Sequence, residues 1–226
     1  MNLKGTKIVE VPYGVSNIEV DSDILIVGER MGGDGISKSI VDKGCESVTT
    51  TDIRPIPDES WIKQNTDWNH IVTDFIDFDT SNKYDRIISI SVFEHFGLYW
   101  EGQSMYGDGT KQDIIHWEHD ILGIQKSCEL LKDENSKVVI TLPVGNFFNY
   151  NNEGKPIVRY YTKQRQDIIR NKIKDMGCFI SDENFFFSKN FQDWFVVDSS
   201  INEPQNMSYH NLYTPNVIWA FTINKK

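Results

Sequence analysis

Cysteine, long apolar runs and positive charge are what this chain has least of, and each shortage excludes something. The three cysteines among 226 residues, Cys45, Cys128 and Cys178, are odd in number and far apart. They share no metal-ligand spacing, so neither a disulfide framework nor a thiolate metal site is expected. Cys45 and Cys128 read instead as small buried side chains in a reducing compartment. No stretch reaches the roughly 18 consecutive apolar residues of a membrane span. The opening MNLKGTKIVE has no apolar signal core, and the expectation is a cytoplasmic chain. Lysine and arginine number 23 against 33 acids, a formal net charge of −10. Such a surface repels phosphate backbones, so nucleic acid is not an expected partner. The densest basic stretch, Lys163, Arg165, Arg170, Lys172 and Lys174, fits the solvated face of a helix.

What is there suits a single α/β domain. Apolar residues make up 39% and aromatics 12%, enough for a full core at this length. The stretch that organises the rest is YDRIISISVFEHFG, Tyr84 to Gly97. Ile87, Ile88, Ile90 and Val92 form a short apolar, β-branched run with a polar exit, the pattern of a central parallel strand. Ligands of open α/β sheets lie outside the carboxyl ends of such strands, which places Ser91, Glu94 and His95 where chemistry happens.

Upstream, DILIV (23–27) is a strand followed by GERMGGDG (28–35) and a helix from Ile36 to Lys43. Strand, glycine-rich turn and helix open a nucleotide-binding βαβ unit. Gly28 allows a tight turn, and Gly32 and Gly33 allow close approach of a ligand. Arg30 interrupts the usual glycine spacing. The second strand, SVTTTD, ends in Asp52, some 24 positions after Gly28. A carboxylate there accepts from both hydroxyls of a ribose; a turn-capping aspartate is the alternative. A short third strand from His70 ends in Asp74-Phe75, either a satisfied turn or a carboxylate for an exocyclic amine with a ring to cover the base.

The remaining elements follow in order. Lys7 to Val11 alternates weakly and reads as an edge strand ended by Pro12 and Gly14. Helices are expected over Asp120–Leu131 and from a Thr162 cap to about Met176, with Gly177 past the end. Strands are expected over Lys137–Leu142, Cys178–Phe187 and Val217–Asn224. Long segments at about 97–118, 145–161 and 188–216 read as loops on the acceptor side of one domain spanning 1–226.

Together the glycine loop, Asp52 and SVFEHFG resemble class I S-adenosylmethionine-dependent methyltransferases, over about residues 23–145. The resemblance implies a doubly wound, mostly parallel seven-stranded sheet with an antiparallel C-terminal strand, and S-adenosyl-L-methionine as cofactor. It implies Gly28, Glu29, Gly32 and Gly33 at the methionine part and Asp52 with Ile53 at the ribose. It further implies Asp74 with Phe75 at the adenine, and Ser91 and Glu94 near the transferred methyl. Ile26 stands where many members carry an acid. TTDIRP (50–55), EHFGL (94–98), the Asp120 helix start, LPVG (142–145) and RYYT (159–162) resemble a branch found near surface-sugar biosynthesis. That implies an O-methyltransferase acting on a small polar acceptor, a sugar or nucleotide-linked sugar.

A sugar hydroxyl benefits from a general base. His95 is the first candidate, because it follows the strand that ends at the methyl. His116 and His119 share a helical face and could supply a base or, with Asp120, a divalent-metal site; the preferred reading has His119 or Asp120 orienting the acceptor hydroxyl, with no metal. A nicotinamide-dependent oxidoreductase shares the glycine loop and ribose acid. A non-catalytic nucleoside-binding partner subunit is the third class.

Overall fold

The computed structural model describes residues 5–28, 36–58, 60–98, 100–101, 111–112, 115–145, 148–150, 154–190, 192–197 and 216–226. In chain order the elements are α1 (Lys7–Ser16), β1 (Ile24–Val27), α2 (Ile36–Asp42), β2 (Val48–Asp52), α3 (Trp61–Asn65), β3 (Asn69–Val72) and β4 (Arg86–Ile90). A 3-10 turn (Phe93–His95) follows, then β5 (Trp100–Glu101), β6 (Lys111–Gln112), α4 (His119–Glu129), β7 (Lys137–Pro143), β8 (Phe148–Tyr150) and β9 (Pro156–Arg159). The chain continues through α5 (Lys163–Asp175), β10 (Cys178–Phe187), β11 (Phe195–Val197) and β12 (Val217–Lys225).

Eight strands form the main sheet in the order β3-β2-β1-β4-β7-β12-β10-β11. Strands β3, β2, β1, β4 and β7 run parallel, and β12 inserts antiparallel between β7 and β10. Seven of these are the strands the sequence predicts; β11 adds an eighth within the stretch read as a loop after 188. The central strands are largely apolar and buried because both faces are covered. Leu25, Val27 and Ile87 face a core shared with Ile121 and Ile124 of α4 and Ile169 of α5, while Ile24, Ile26 and Ile88 face Ile36 and Ile40 of α2. Alternate residues of one strand thus feed opposite cores, the physical content of double winding. No helix among the described residues is long and apolar enough to cross a membrane.

The N-terminal expectation is corrected. Lys7–Val11 is the start of helix α1, which carries Pro12 in its interior. A proline there removes one helical hydrogen bond, and docking offsets the loss. Val11 and Tyr13 are buried, and the Tyr13 hydroxyl donates to Asp182 Oδ2 at 2.9 Å and lies 3.1 Å from Thr222 Oγ1. Gly14 lets the helix approach: a Cβ there would lie 3.0 Å from the Ile36 side chain and 3.1 Å from that of Ile90. Helix α1 therefore lies against β4, beside the carboxyl end where the sequence places the site.

Two of the expected acceptor-side loops contain short hairpins, β5–β6 and β8–β9. Helix α5 starts as its sequence predicts, with Thr162 Oγ1 accepting from Arg165 N at 3.2 Å. The basic stretch on α5 is partly neutralised: Arg165 pairs with Asp120 and Glu118, and Arg170 with Glu183 and Asp167.

Candidate functional site

At the end of β1, Gly28 has φ +81°, and a Cβ on it would lie 2.4 Å from Val92 Cγ1. Its N–H donates to Thr51 O at 2.7 Å. Only glycine fits both the backbone conformation and the contact. Glu29, Gly32 and Gly33 lie outside the described residues.

Asp52 closes β2 and is only 6% exposed. Its Oδ1 accepts from Arg54 N at 3.0 Å and Arg54 Nε at 2.9 Å, and its Oδ2 accepts from Arg54 Nη2 at 3.3 Å. Beside it Ile53 stands open, 37% exposed, an apolar surface next to a carboxylate. At the end of β3, Asp74 is exposed and caps its own turn, Oδ1 accepting from Ile76 N at 2.9 Å. Phe75 is turned inward: it is 3% exposed and packs against Phe78, Phe93 and Phe96. That corrects its expected place over a base. An aromatic next to a strand-end acid looks the same in sequence whether its ring faces a ligand or the core.

The end of β4 differs most from expectation. Ser91 has φ 53°, rare for a residue with a Cβ. Its N–H is held by Thr141 O and Oγ1, each at 3.2 Å. Its hydroxyl donates to Glu10 Oε1, which also accepts from Thr141 Oγ1 at 2.8 Å. Ser91 is thus committed to α1 rather than free for a ligand. Glu10 itself is buried, and burial would raise its carboxyl. Lys7 Nζ at 3.2 Å and the hydroxyls outweigh that and hold its pKa below the ordinary value. Sequence reasoning missed Glu10, since an acid in an amphipathic leader gives no sign that it will be buried.

The 3-10 turn carries the next two residues. Glu94 is buried, and its Oε2 finds no hydrogen-bond partner among the described residues. Burial, with repulsion from Glu10, pushes its pKa up to about 8. It is therefore mostly a neutral acid at pH 7. The linkage has a definite sign. Between the ordinary 4.5 and about 8 the folded chain holds a proton that the unfolded chain has lost, so stability falls as pH rises through that window. The slope is at most about 1.4 kcal/mol per pH unit. Glu94→Gln should flatten it, as read by urea denaturation at about pH 5 and about pH 8. Parallel curves for the two proteins would show that the acid is not buried in solution.

His95 is exposed to solvent but has protein around it. Its Nδ1 lies 2.9 Å from Ile157 O of β9. A carbonyl only accepts, so Nδ1 carries the hydrogen and Nε2 keeps its lone pair. Loss of hydration, then the cations Arg54, Lys7 and Arg159, hold the ring's pKa below its ordinary value, against the opposing effect of the carbonyl. The imidazole is neutral at pH 7.

Asp120 is not at the surface. It is fully buried, with Arg165 Nη2 2.5 Å from Oδ1 and Arg165 Nε 3.2 Å from Oδ2, and Arg159 Nη1 3.5 Å from Oδ2. Arg159, 1% exposed, also donates to Phe96 O at 3.3 Å and Trp117 O at 3.2 Å. This arginine ties the 3-10 turn to the start of α4, and sequence reasoning missed it because RYYT reads as a loop end. The His119 ring stacks on His116, centroids 4.3 Å apart and 6° from parallel. Gly97, at φ +70°, lies against both: a Cβ on it would be 2.0 Å from His116 O and 2.8 Å from His119 Cβ. His119 and Asp120 thus anchor α4 beneath the turn that carries His95. Among the described residues no group of three His, Cys, Asp or Glu side chains is arranged to hold a metal.

No family model and no curated protein matches the sequence. Solved structures do match its fold. The 1,6-didemethyltoxoflavin-N1-methyltransferase of Burkholderia thailandensis, solved with 1,6-didemethyltoxoflavin and S-adenosylhomocysteine, is 9% identical with a TM-score of 0.62; the match covers 98% of this chain and 79% of that one. The N-methyltransferase NodS of Bradyrhizobium japonicum, with S-adenosylhomocysteine, is 9% identical with a TM-score of 0.57, over 97% and 85% of the two chains. A S-adenosylmethionine-dependent methyltransferase of Clostridium acetobutylicum is 11% identical with a TM-score of 0.57, over 96% and 92%. The chain has the fold of class I methyltransferases: a mostly parallel sheet closed by an antiparallel C-terminal strand.

Proposed function

We propose that this chain is an S-adenosyl-L-methionine-dependent methyltransferase with a small polar acceptor, a hydroxyl of a sugar or nucleotide-linked sugar. The observation that carries the reading is a juxtaposition. Within this fold, Gly28, Asp52 and the turn bearing His95 stand at the carboxyl ends of β1, β2 and β4, which are neighbours in the sheet. Ligands of open α/β sheets lie there. The residues fit the cofactor: a backbone with no room for a Cβ at Gly28, a strand-end carboxylate for a ribose diol, and the open Ile53 for an adenine.

When bound, that cofactor supplies a methyl group on a sulfonium. The chain's own residues do the rest. Asp52 accepts from the two ribose hydroxyls and fixes the nucleoside. His95 takes the acceptor's proton at Nε2, because its Nδ1 is committed to Ile157 O. Positioning and removal of water supply much of the rate, and the base adds to it. The acceptor side of a single methyltransferase domain is proposed at 97–118, 145–161 and 188–216, segments of which a large part lies outside the described residues. The sugar rests on the TTDIRP, EHFGL, LPVG and RYYT resemblance. A nitrogen acceptor is the second reading, favoured by the N-methyltransferases among the structural neighbours. The order of β7, β12 and β10 supports methyl transfer over nicotinamide chemistry.

The test is calorimetric titration with S-adenosylhomocysteine. Wild type should bind at micromolar levels, and Asp52→Ala should bind about 10- to 100-fold more weakly, the scale of hydrogen bonds to a charged acceptor. No binding by wild type, with magnesium or without it, would remove the reading. Product analysis on pools of sugars and of amines then separates the two acceptors.

A further inference from the structure

We propose that Arg54 is an internal occupant of the ribose-diol site, a guanidinium that holds the Asp52 carboxylate until a vicinal diol displaces it, and so sets affinity for the nucleoside. The inference rests on the assignment of Asp52 above.

A carboxylate offers about four acceptor positions. Three contacts already draw on those of Asp52, and all come from Arg54. The backbone N–H is fixed by the chain's turn after β2. The Nε and Nη2 donors, at 2.9 and 3.3 Å, belong to the side chain. One reaches Oδ1 and the other Oδ2, and a vicinal diol has the same demand, one hydroxyl to each oxygen. Guanidinium and diol therefore compete for the same two atoms.

Burial sharpens the competition. The side chains of Arg54 and Asp52 are only 13% and 3% exposed, so the pair is poorly screened. The exchange is unequal, since a neutral diol replaces a cation and leaves the carboxylate charge less compensated. Arg54 also lowers the His95 pKa, so its charge is felt at the proposed base. An arginine two residues after the ribose acid thus acts against nucleoside binding through Asp52, as a positioning residue rather than a catalytic one.

The experiment titrates S-adenosylhomocysteine into the full chain as wild type, Arg54→Gln, Arg54→Lys, Asp52→Asn and the Arg54→Gln/Asp52→Asn double variant, at low and high salt. Arg54→Gln should bind about fivefold to tenfold more tightly than wild type, on the order of one ion pair. Arg54→Lys should fall between, because an ammonium does not span both oxygens. Because the pair is buried, salt should change wild-type affinity little, and the gain in Arg54→Gln should persist at both salt concentrations. In the Asp52→Asn background the arginine change should have no effect. A purely structural role for Arg54 predicts none of these gains. Unchanged or weaker binding by Arg54→Gln, with wild type binding normally, overturns this inference and leaves the methyltransferase reading standing. Binding by neither protein overturns both.

Discussion

Exchange of His95 for glutamine should lower the rate of methyl transfer by about 10²- to 10⁴-fold, the range a positioned general base supplies. The reason is the tautomer. With Nδ1 donating to Ile157 O at 2.9 Å, Nε2 is the nitrogen left to receive a proton. A glutamine amide keeps polarity and approximate size but has no basic lone pair. The loss should fall on kcat, with S-adenosylhomocysteine affinity and melting temperature close to wild type. The pH profile adds an independent check. The pKa of His95 is held below its ordinary value, so wild-type kcat/KM should climb with an acid limb below about pH 6.5 and then level off. The His95→Gln variant should lose that limb. A rate within a few-fold of wild type would assign proton removal elsewhere, or to an acceptor that needs no base.

Asp120→Ala should be the most destabilising of the site substitutions, by about 3–5 kcal/mol, because it strands buried cationic partners. Arg159 would be left almost fully buried without its counter-ion, and Arg165 would lose two short contacts. For a chain of this length that corresponds to a melting point lower by roughly 10 °C. The effect should reach the site, because Arg159 also holds the carbonyl of Phe96, next to His95 in the chain. The Asp120→Asn variant separates two roles. A base or acceptor-orienting Asp120 would lose rate at unchanged stability; an ion-pair anchor loses stability first. Thermal melts of both variants beside wild type decide between these outcomes, and an unchanged melting temperature would contradict the buried cluster.

These two residues show where sequence and structure part. His95 and Asp120 both stand near element boundaries and both are ionisable. The sequence treats them alike, as candidates for catalysis. Tertiary packing separates them: β9 brings a carbonyl to one ring nitrogen of His95, whereas β9 and α5 bring guanidinium groups to Asp120. Ile157 is 62 residues from His95, and Arg159 and Arg165 are 39 and 45 residues from Asp120 along the chain. No local pattern encodes such distances.

The sequence by itself determined the sheet. Runs rich in Ile and Val at 24–27, 86–90 and 137–143 can be stable only when covered on both faces, and that requirement, with alternating helices, dictates a doubly wound α/β arrangement. It also determined the strand ends, because Gly28 and Asp52 are punctuation that a local turn needs. It misjudged α1, where Pro12 argues against a helix until Tyr13 and Gly14 find partners on β10, β12, α2 and β4. Only the tertiary structure decided that Phe75 turns inward, that Ser91 is bound to Glu10, that Glu94 is kept protonated and that Arg54 covers Asp52. The physical reason is common to all four. Secondary structure follows from the period of apolar residues along the chain, while the state of a polar side chain follows from which distant groups burial places beside it.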